Sequence, residues 1–209
     1  MTRLQKLVRR RNRRRRLRDK TKAKKQWKAV KRHNKAIRKL NRLIRKEQAR
    51  LRQRVISREE WGAAPPNGAY TPQYNVKAGV QHHSAYPALP ANATMEQEAE
   101  RMRLLQRGHL AQGWTDIGYA FVAFPSGRIY EGRPDEYVGA HTLGHNTGYA
   151  GWCLDGNYEE SEPTDAAIKA CHRIRKLMGV ADKPLYGHYQ LNPTACPGKK
   201  LIPYLNKEI

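Results

Sequence analysis

The net positive charge of the chain is concentrated in one segment. Residues 1–54 hold 26 of the 41 Lys and Arg residues and only two acidic residues, Asp19 and Glu47, which gives them a net charge of +24. Residues 55–209 hold 15 basic and 16 acidic residues and are nearly neutral. Like charge at this density opposes packing, whereas the longer segment has the size and composition to bury a core. The sequence therefore predicts a basic arm over 1–54 and a globular domain over 55–209.

Apolar residues recur in the arm at seven-residue steps, at Val30, Ile37, Ile44 and Leu51. This spacing predicts a helix with a narrow apolar stripe. The first twenty residues, with four consecutive arginines at 13–16, carry too much charge to pack, and we expect them to be disordered in the free chain. The arm is thus expected to be partly helical and partly disordered.

Two interpretations of the arm stay open. It is either a solvated tail that aids solubility or an anchor for a polyanion, such as an anionic envelope polymer, lipid head groups or nucleic acid. Trp27 is its single aromatic residue, so the arm offers no stacking platform for bases, and nucleic acid is not the favoured partner. Binding to a membrane surface stays open, although the apolar stripe is thin. Self-repulsion of the arm favours a monomer.

No stretch of the sequence approaches the roughly 20 apolar residues that cross a bilayer, and no apolar signal-peptide segment follows the basic amino terminus. We therefore expect a chain made in the cytoplasm without a secretory signal. The three cysteines, Cys153, Cys171 and Cys196, cannot all pair and fit a reduced protein.

Strand and helix patterns alternate over residues 55–209. Strands are predicted at 78–84, 119–124, 128–131, 149–154 and 184–188, with the second and third forming a hairpin. Helices are predicted after a capping box at Thr94, after Thr164, and over 199–206, while the segment following Val55 is predicted to be a loop. The interleaved elements favour an α/β fold with a mixed central β-sheet flanked by helices.

Potential metal ligands lie at two places in this domain. His82 and His83 end the first predicted strand, and His188 precedes Cys196 by eight residues. Two imidazoles and one thiolate with an open fourth position are typical of a catalytic Zn²⁺ site, because structural zinc sites use four protein ligands. Neighbouring strand residues face opposite sides, so only one of the two adjacent histidines can reach the metal. A Cys196 nucleophile with His188 as its base is the alternative, although no cysteine-peptidase signature surrounds it.

Six short motifs occur in one order along the domain: SREEWGA at 57–63, HHSA at 82–85, GWTDIGY at 113–119, GRIYEGR at 127–133, GAH at 139–141 and HYQLNPTACP at 188–197. Together they resemble the zinc-dependent N-acetylmuramoyl-L-alanine amidases shared by phage endolysins and peptidoglycan recognition proteins. The resemblance covers roughly residues 56–205. Each motif alone is weak, and the ordered set is specific.

The resemblance implies a site and a reaction. It implies that His82, His188 and Cys196 bind zinc, and that Tyr119 positions or deprotonates the water activated by the metal. Phage members often carry lysine two residues before the cysteine, whereas this chain has Thr194, as catalytic peptidoglycan recognition proteins do, and its hydroxyl is then the oxyanion donor. The implied reaction is hydrolysis of the peptidoglycan amide bond between N-acetylmuramic acid and L-alanine.

Three further residues are candidates for substrate binding. His141 and Asn146 lie in a Gly-rich stretch typical of a cleft wall, and either contact substrate or make local hydrogen bonds. His83 is the third candidate, with packing as its alternative role.

The expected setting is that of a phage endolysin, made in the host cytoplasm and acting at the bacterial cell wall after holin-mediated release. A non-catalytic recognition module of the same fold and a virion-associated wall-opening protein are the alternatives.

Overall fold

The computed structural model describes residues 3–23, 27–52 and 55–205. The chain divides into two compact units, Met1–Gln53 and Arg54–Ile209. The first unit contains the helices α1 (Arg3–Ala23) and α2 (Trp27–Arg52). Among the described residues, no helix is both long enough and apolar enough to span a bilayer.

Helices α1 and α2 pack against each other as an antiparallel pair. Leu4 and Leu7 of α1 form a buried cluster with Ile44 near the far end of α2, while Arg14 Nη1 lies 3.5 Å from His33 Nδ1. The disorder expected for the first twenty residues is therefore wrong for the described part of that segment. Leu4 and Leu7 are spaced about one helical turn apart and give α1 an apolar face. This face is hard to recognise in the sequence because so many of the surrounding residues are charged.

The second unit is built on one six-stranded sheet. Its strands are β1 (Val55–Ile56), β2 (Ala78–His83), β3 (Phe121–Ala123), β4 (Ile129–Glu131), β5 (Tyr149–Leu154) and β6 (Leu185–Gly187). They lie in the order β1-β4-β3-β5-β2-β6. Only the β3–β4 hairpin is antiparallel, and the other neighbouring pairs are parallel. The predicted mixed α/β sheet is confirmed.

Two helices accompany the sheet. Helix α3 (Met95–Ala111) begins at the predicted capping box, in which Thr94 and Gln97 satisfy each other's backbone amides. Helix α4 (Asp165–Leu177) begins at Thr164, whose hydroxyl accepts from the Ala167 amide. Both helices bury an apolar face, as their spacing predicts.

The ends of the domain differ from prediction. In place of a helix over 199–206, the described residues have a single 3-10 turn, Ile202–Tyr204, because Pro203 supplies no amide hydrogen for a longer ladder; Asn206 lies outside the described residues. Val55 and Ile56, at the start of the domain, pair with β4 as a strand that was not predicted, whereas the residues from Ser57 to Lys77 form turns and irregular backbone, as predicted. Two residues are too few to show a strand periodicity in the sequence.

A buried carboxylate joins the loop before β3 to the rest of the domain. Asp116 is fully buried and accepts hydrogen bonds from Gln106 Nε2 at 2.7 Å and from the Ile117 amide at 2.7 Å. Its second oxygen pairs with Arg58 at 2.8 Å and accepts from the Tyr70 hydroxyl. Asp116 thus braces this loop through four hydrogen-bond donors.

We expect Asp116→Ala to lower the free energy of unfolding by about 3 kcal/mol, because removing one partner leaves the Arg58 guanidinium and other buried donors unpaired. Asp182→Ala, at an exposed position, is the matched control and should change stability by about 0.5 kcal/mol or less. Urea denaturation of both variants measures the difference. Equal stability of the two variants would contradict this role of Asp116.

Candidate metal centre

Parallel pairing brings the predicted ligands to one edge of the sheet. Strand β2 ends at His82 and His83, and its neighbour β6 ends at Gly187, directly before His188. The ligand atoms of His82, His188 and Cys196 all lie within 4.8 Å of one another. The ring centroids of His82 and His188 are 4.6 Å apart. The three residues therefore form one cluster, although more than a hundred positions separate the first from the other two.

The cluster has the spacing and donor atoms that zinc requires. Tetrahedral coordination with Zn–N near 2.0–2.1 Å and Zn–S near 2.3 Å sets the nitrogen and sulfur ligands roughly 3.6 Å apart. His82 Nδ1 lies 3.6 Å from Cys196 Sγ. Two imidazole nitrogens and one sulfur also suit zinc, whereas Mg²⁺ and Ca²⁺ bind to oxygen donors. The residues present therefore fit a three-ligand zinc site with one position left for solvent or substrate.

Hydrogen bonds at the outer nitrogens orient both rings. His82 Nε2 lies 3.2 Å from His141 Nδ1, and His188 Nε2 lies 3.2 Å from Asn192 Oδ1. These contacts leave Nδ1 of each ring for a metal ion. Burial lowers the pKa of both His82 and His188, which favours the neutral imidazole that metals bind.

Cys196 is held by the backbone of the neighbouring strand. The His83 amide donates to Cys196 Sγ at 3.4 Å. Burial raises the pKa of the Cys196 thiol to about 12, which is the opposite of the shift found in reactive cysteine nucleophiles. A nearby cation is what deprotonates a coordinating thiol at this depth. The surroundings therefore favour a metal ligand over a cysteine-peptidase nucleophile.

His141 contacts the ligand His82 from behind. Its ring is buried and packs against Gly151, where an added Cβ would lie 2.3 Å from the ring. Burial lowers the pKa of His141 to about 3, so its ring is neutral. Its Nδ1 lies 2.8 Å from the Thr142 hydroxyl oxygen and 3.2 Å from His82 Nε2, so the Nε2–H of a metal-ligating His82 has an acceptor at the right distance. Of the two roles predicted for His141, this geometry matches local hydrogen bonding.

Asn146 shapes the loop that carries His141. Its side-chain oxygen accepts from the amides of His141 at 2.8 Å and Thr142 at 2.9 Å. The same residue lines the groove beside the cluster. Asn146 thus makes the local hydrogen bonds that were one of its two predicted roles, and a substrate contact stays a prediction.

His83 points away from the ligand cluster. Its Nδ1 accepts from the Tyr158 amide at 3.3 Å, and its ring packs near Tyr158 with centroids 6.5 Å apart. It is absent from the lining of the groove described below. The packed alternative predicted for His83 fits this position, whereas the lining gives no support to a substrate contact.

Tyr119 and Thr194 contact different members of the cluster. The Tyr119 ring lies 5.2 Å from the His82 ring, and burial raises the pKa of its hydroxyl well above the usual value. His109 packs edge-on against Tyr119 at 5.5 Å and accepts from the Gly118 amide. Thr194 is exposed, and its hydroxyl accepts from the Cys196 amide at 3.2 Å. That bond fixes the oxygen and leaves the hydroxyl hydrogen to donate.

An open groove of about 520 Å³ adjoins the cluster. Its lining combines apolar side chains with neutral polar groups: Trp114, Ala140, His141, Thr142, Leu143, Asn146, His188, Asn192, Pro193 and Thr194. Leu143 is 85% exposed at this groove. Lysine, arginine and acidic residues are absent from the lining. The groove therefore suits a neutral amide and sugar segment bound by shape and hydrogen bonds.

Two residues of this site were not selected from the sequence. Asn192 orients His188 and donates to the Leu143 carbonyl at 3.3 Å, and Thr142 Oγ1 lies 2.8 Å from His141 Nδ1. Asn192 follows His188 by four positions, so its side chain returns toward the same place in a helical turn. That spacing is the signal that could have identified it.

We expect His141→Phe to weaken zinc binding by about 10–100-fold, because it keeps an aromatic ring but removes the acceptor for His82 Nε2–H. His145→Ala, in the same loop but outside the groove lining, should bind zinc like the original chain. Competition with a chromogenic chelator measures both affinities, and circular dichroism checks the fold. Unchanged zinc affinity in a folded His141→Phe protein would remove His141 from this role.

Comparisons with known proteins agree with the fold. The sequence profile of the N-acetylmuramoyl-L-alanine amidase family matches residues 72–199. The human N-acetylmuramoyl-L-alanine amidase is 40% identical over 159 residues, which cover 72% of this chain and 27% of the human protein. The chain thus spans about a quarter of the length of that relative.

Solved structures show the same similarity. Drosophila peptidoglycan recognition protein SD superposes with a TM-score of 0.68 at 30% identity, covering 74% of this chain and 94% of that one. Peptidoglycan recognition protein LE, solved in complex with tracheal cytotoxin, a monomeric diaminopimelic acid-type peptidoglycan, gives a TM-score of 0.65 at 32% identity over 70% of this chain and 89% of that one. With the matched profile, these likenesses show that the chain belongs to the N-acetylmuramoyl-L-alanine amidase family.

Proposed function

We propose that this chain is a zinc-dependent N-acetylmuramoyl-L-alanine amidase that acts on peptidoglycan. The observation that carries the proposal is the convergence of His82, His188 and Cys196 within 4.8 Å beside an open, uncharged groove. The substrate is the amide between the lactyl group of N-acetylmuramic acid and L-alanine. Water adds to the carbonyl carbon, the C–N bond breaks, and the products are a lactyl carboxylate and a free L-alanine amine.

The three ligands would hold the ion, which when bound supplies Lewis acidity that polarises a carbonyl and makes water more acidic. Thr194 presents a hydroxyl whose oxygen is already fixed by the Cys196 amide. It is therefore a preorganised donor for the negative charge that develops on the carbonyl oxygen. Tyr119, on the His82 side, is the group that hydrogen-bonds and orients the attacking water.

A non-catalytic recognition module is the second candidate function. Several solved relatives are named peptidoglycan recognition proteins, and one is bound to a peptidoglycan fragment. The complete set of metal ligands favours hydrolysis over binding alone, because a binding groove needs no cysteine and two imidazoles around one point. Both functions use the same groove, so cleavage of a bound muropeptide separates them.

The setting of a phage endolysin, released to the cell wall through a holin lesion, stays part of the proposal. So does the alternative of a virion-associated wall-opening protein. Both require the same bond to be cut, and they differ in when and from which side the protein meets the wall.

We expect the metal-stripped protein to lose cleavage of purified sacculi and to regain it with Zn²⁺. Mass spectrometry should detect new L-alanine amino termini without new reducing sugar ends. Cys196→Ser should lose zinc and activity together, since it removes one of three ligands. If the stripped protein cleaves as fast as the zinc-loaded protein, or if the new ends are sugars, the proposed reaction is wrong.

Thr194→Val keeps the side-chain shape but removes the donor. We expect kcat to fall by about 10²–10³-fold while zinc content stays at one ion per chain, because the donor acts on the transition state. Thr147→Val, at an exposed position outside the groove lining, is the control and should retain kcat. A drop in zinc content equal to the drop in activity would instead make Thr194 a structural support for Cys196.

A further inference from the structure

The family resemblance leaves the two-helix unit unexplained. The matched profile covers residues 72–199, so α1 and α2 lie outside it. Arginine dominates the exposed positions of α1, and the acidic residue of that helix, Asp19, is already paired with Arg18 at 2.8 Å. Burial, and after it the charge of the nearby Arg15, lowers the pKa of Arg11. A unit of this kind gains stability from an anionic partner.

Most of the apolar residues whose side chains the structure describes in this unit are covered. Val30, Ile37 and Ile44 of the α2 stripe are buried, as are Leu4 and Leu7 of α1. Among the described residues of this unit, Leu17 is the exposed large apolar side chain. A helix that inserts into a membrane surface needs a continuous exposed apolar face. The buried stripe packs inside the hairpin, and the apolar side chains left for a partner line a groove between the helices and do not form a continuous exposed face, which disfavours lipid as the partner.

A groove of about 570 Å³ lies between α1 and α2. Four cationic side chains, Arg10, Arg13, Arg14 and Lys39, line it, and the remaining lining residues are apolar. The three arginines are spaced at i, i+3 and i+4, so they project from one face of α1. Cations that share one face and surround apolar carbon match a ligand in which phosphates alternate with short carbon units.

We propose that this groove binds a phosphate-bearing polyol polymer of the bacterial envelope. Guanidinium groups bind phosphate oxygens in pairs, and the apolar lining packs against the carbon units between them. The lining residues that the structure describes include no aromatic side chain, so they offer single-stranded nucleic acid no surface on which its bases could stack. The choice of a wall polymer rests on the proposed function, since that polymer lies beside the amidase substrate.

The test uses the full chain and a defined oligomer of glycerol phosphate. Affinity is measured by fluorescence polarisation at several NaCl concentrations. The groove variant Arg10→Gln/Arg13→Gln/Lys39→Gln should bind at least about 10-fold more weakly at fixed salt. Log affinity falls as log salt rises, and the steepness of this fall should decrease by about 2, because three phosphate contacts are lost.

The matched control removes the same three charges elsewhere on the hairpin. Arg9→Gln/Arg16→Gln/Lys31→Gln changes two arginines and one lysine that are exposed and outside the groove. We expect it to weaken binding by less than about 3-fold, through long-range attraction alone. If the two variants have the same helix content and lose the same amount of affinity for the oligomer, the groove proposal is wrong, because net charge alone then holds the polymer.

Other partners are tested in the same assay. Tighter binding to duplex DNA, single-stranded DNA or anionic phosphatidylglycerol vesicles than to the glycerol phosphate oligomer would also overturn the proposal. Cleavage of a soluble muropeptide is measured on every variant and should be unchanged. Binding without any muropeptide cleavage would sink the amidase proposal while supporting this groove, whereas cleavage without oligomer binding would do the reverse.

Discussion

Parallel strand pairing is the constraint on which the metal centre depends. Backbone hydrogen bonds align β2 with β6 so that Gln81 stands opposite Gly187, and the residue after each is a histidine ligand. Because the carboxyl ends of parallel strands meet at one edge, the two imidazoles arrive together without any contact between neighbours in sequence. The turn after β6 then returns Cys196 to the His83 amide. A shift of one residue in this register would turn His82 to the other face of the sheet.

The two units of the chain rely on different physical forces. The groove beside the metal cluster lacks charged lysine, arginine and carboxylate side chains, so recognition there depends on shape and short hydrogen bonds, which salt screens little. The helical hairpin concentrates positive charge in water, where salt weakens every long-range contact. Under the two proposals, cleavage and polymer binding therefore respond differently to salt.

The sequence predicts five of the six described strands, the helix caps and the candidate cluster because each has a local signal, whereas the two-residue β1 shows none. Thr94 and Gln97 are three positions apart, and His188 and Cys196 are eight positions apart, so the sequence alone shows these features. The helical α1 was not predicted, because its two buried leucines lie among arginines and the packing partner is on another helix. The same limit applies to the contact between His141 and His82, which are 59 residues apart. Asn192 differs, because its position four residues after His188 is a local signal. Composition records charge and periodicity, but not which distant side chain will share a hydrogen bond.

Gly151, in strand β5, is a residue of the sheet on which the candidate metal centre depends. The His141 ring occupies the volume that any side chain there would need, so even alanine would displace the imidazole that holds the outer nitrogen of His82. Such a protein would keep every ligand and still coordinate poorly. A related chain that has the two histidines and the cysteine therefore also needs glycine at the position of Gly151, behind the His141 ring, to act as a competent hydrolase.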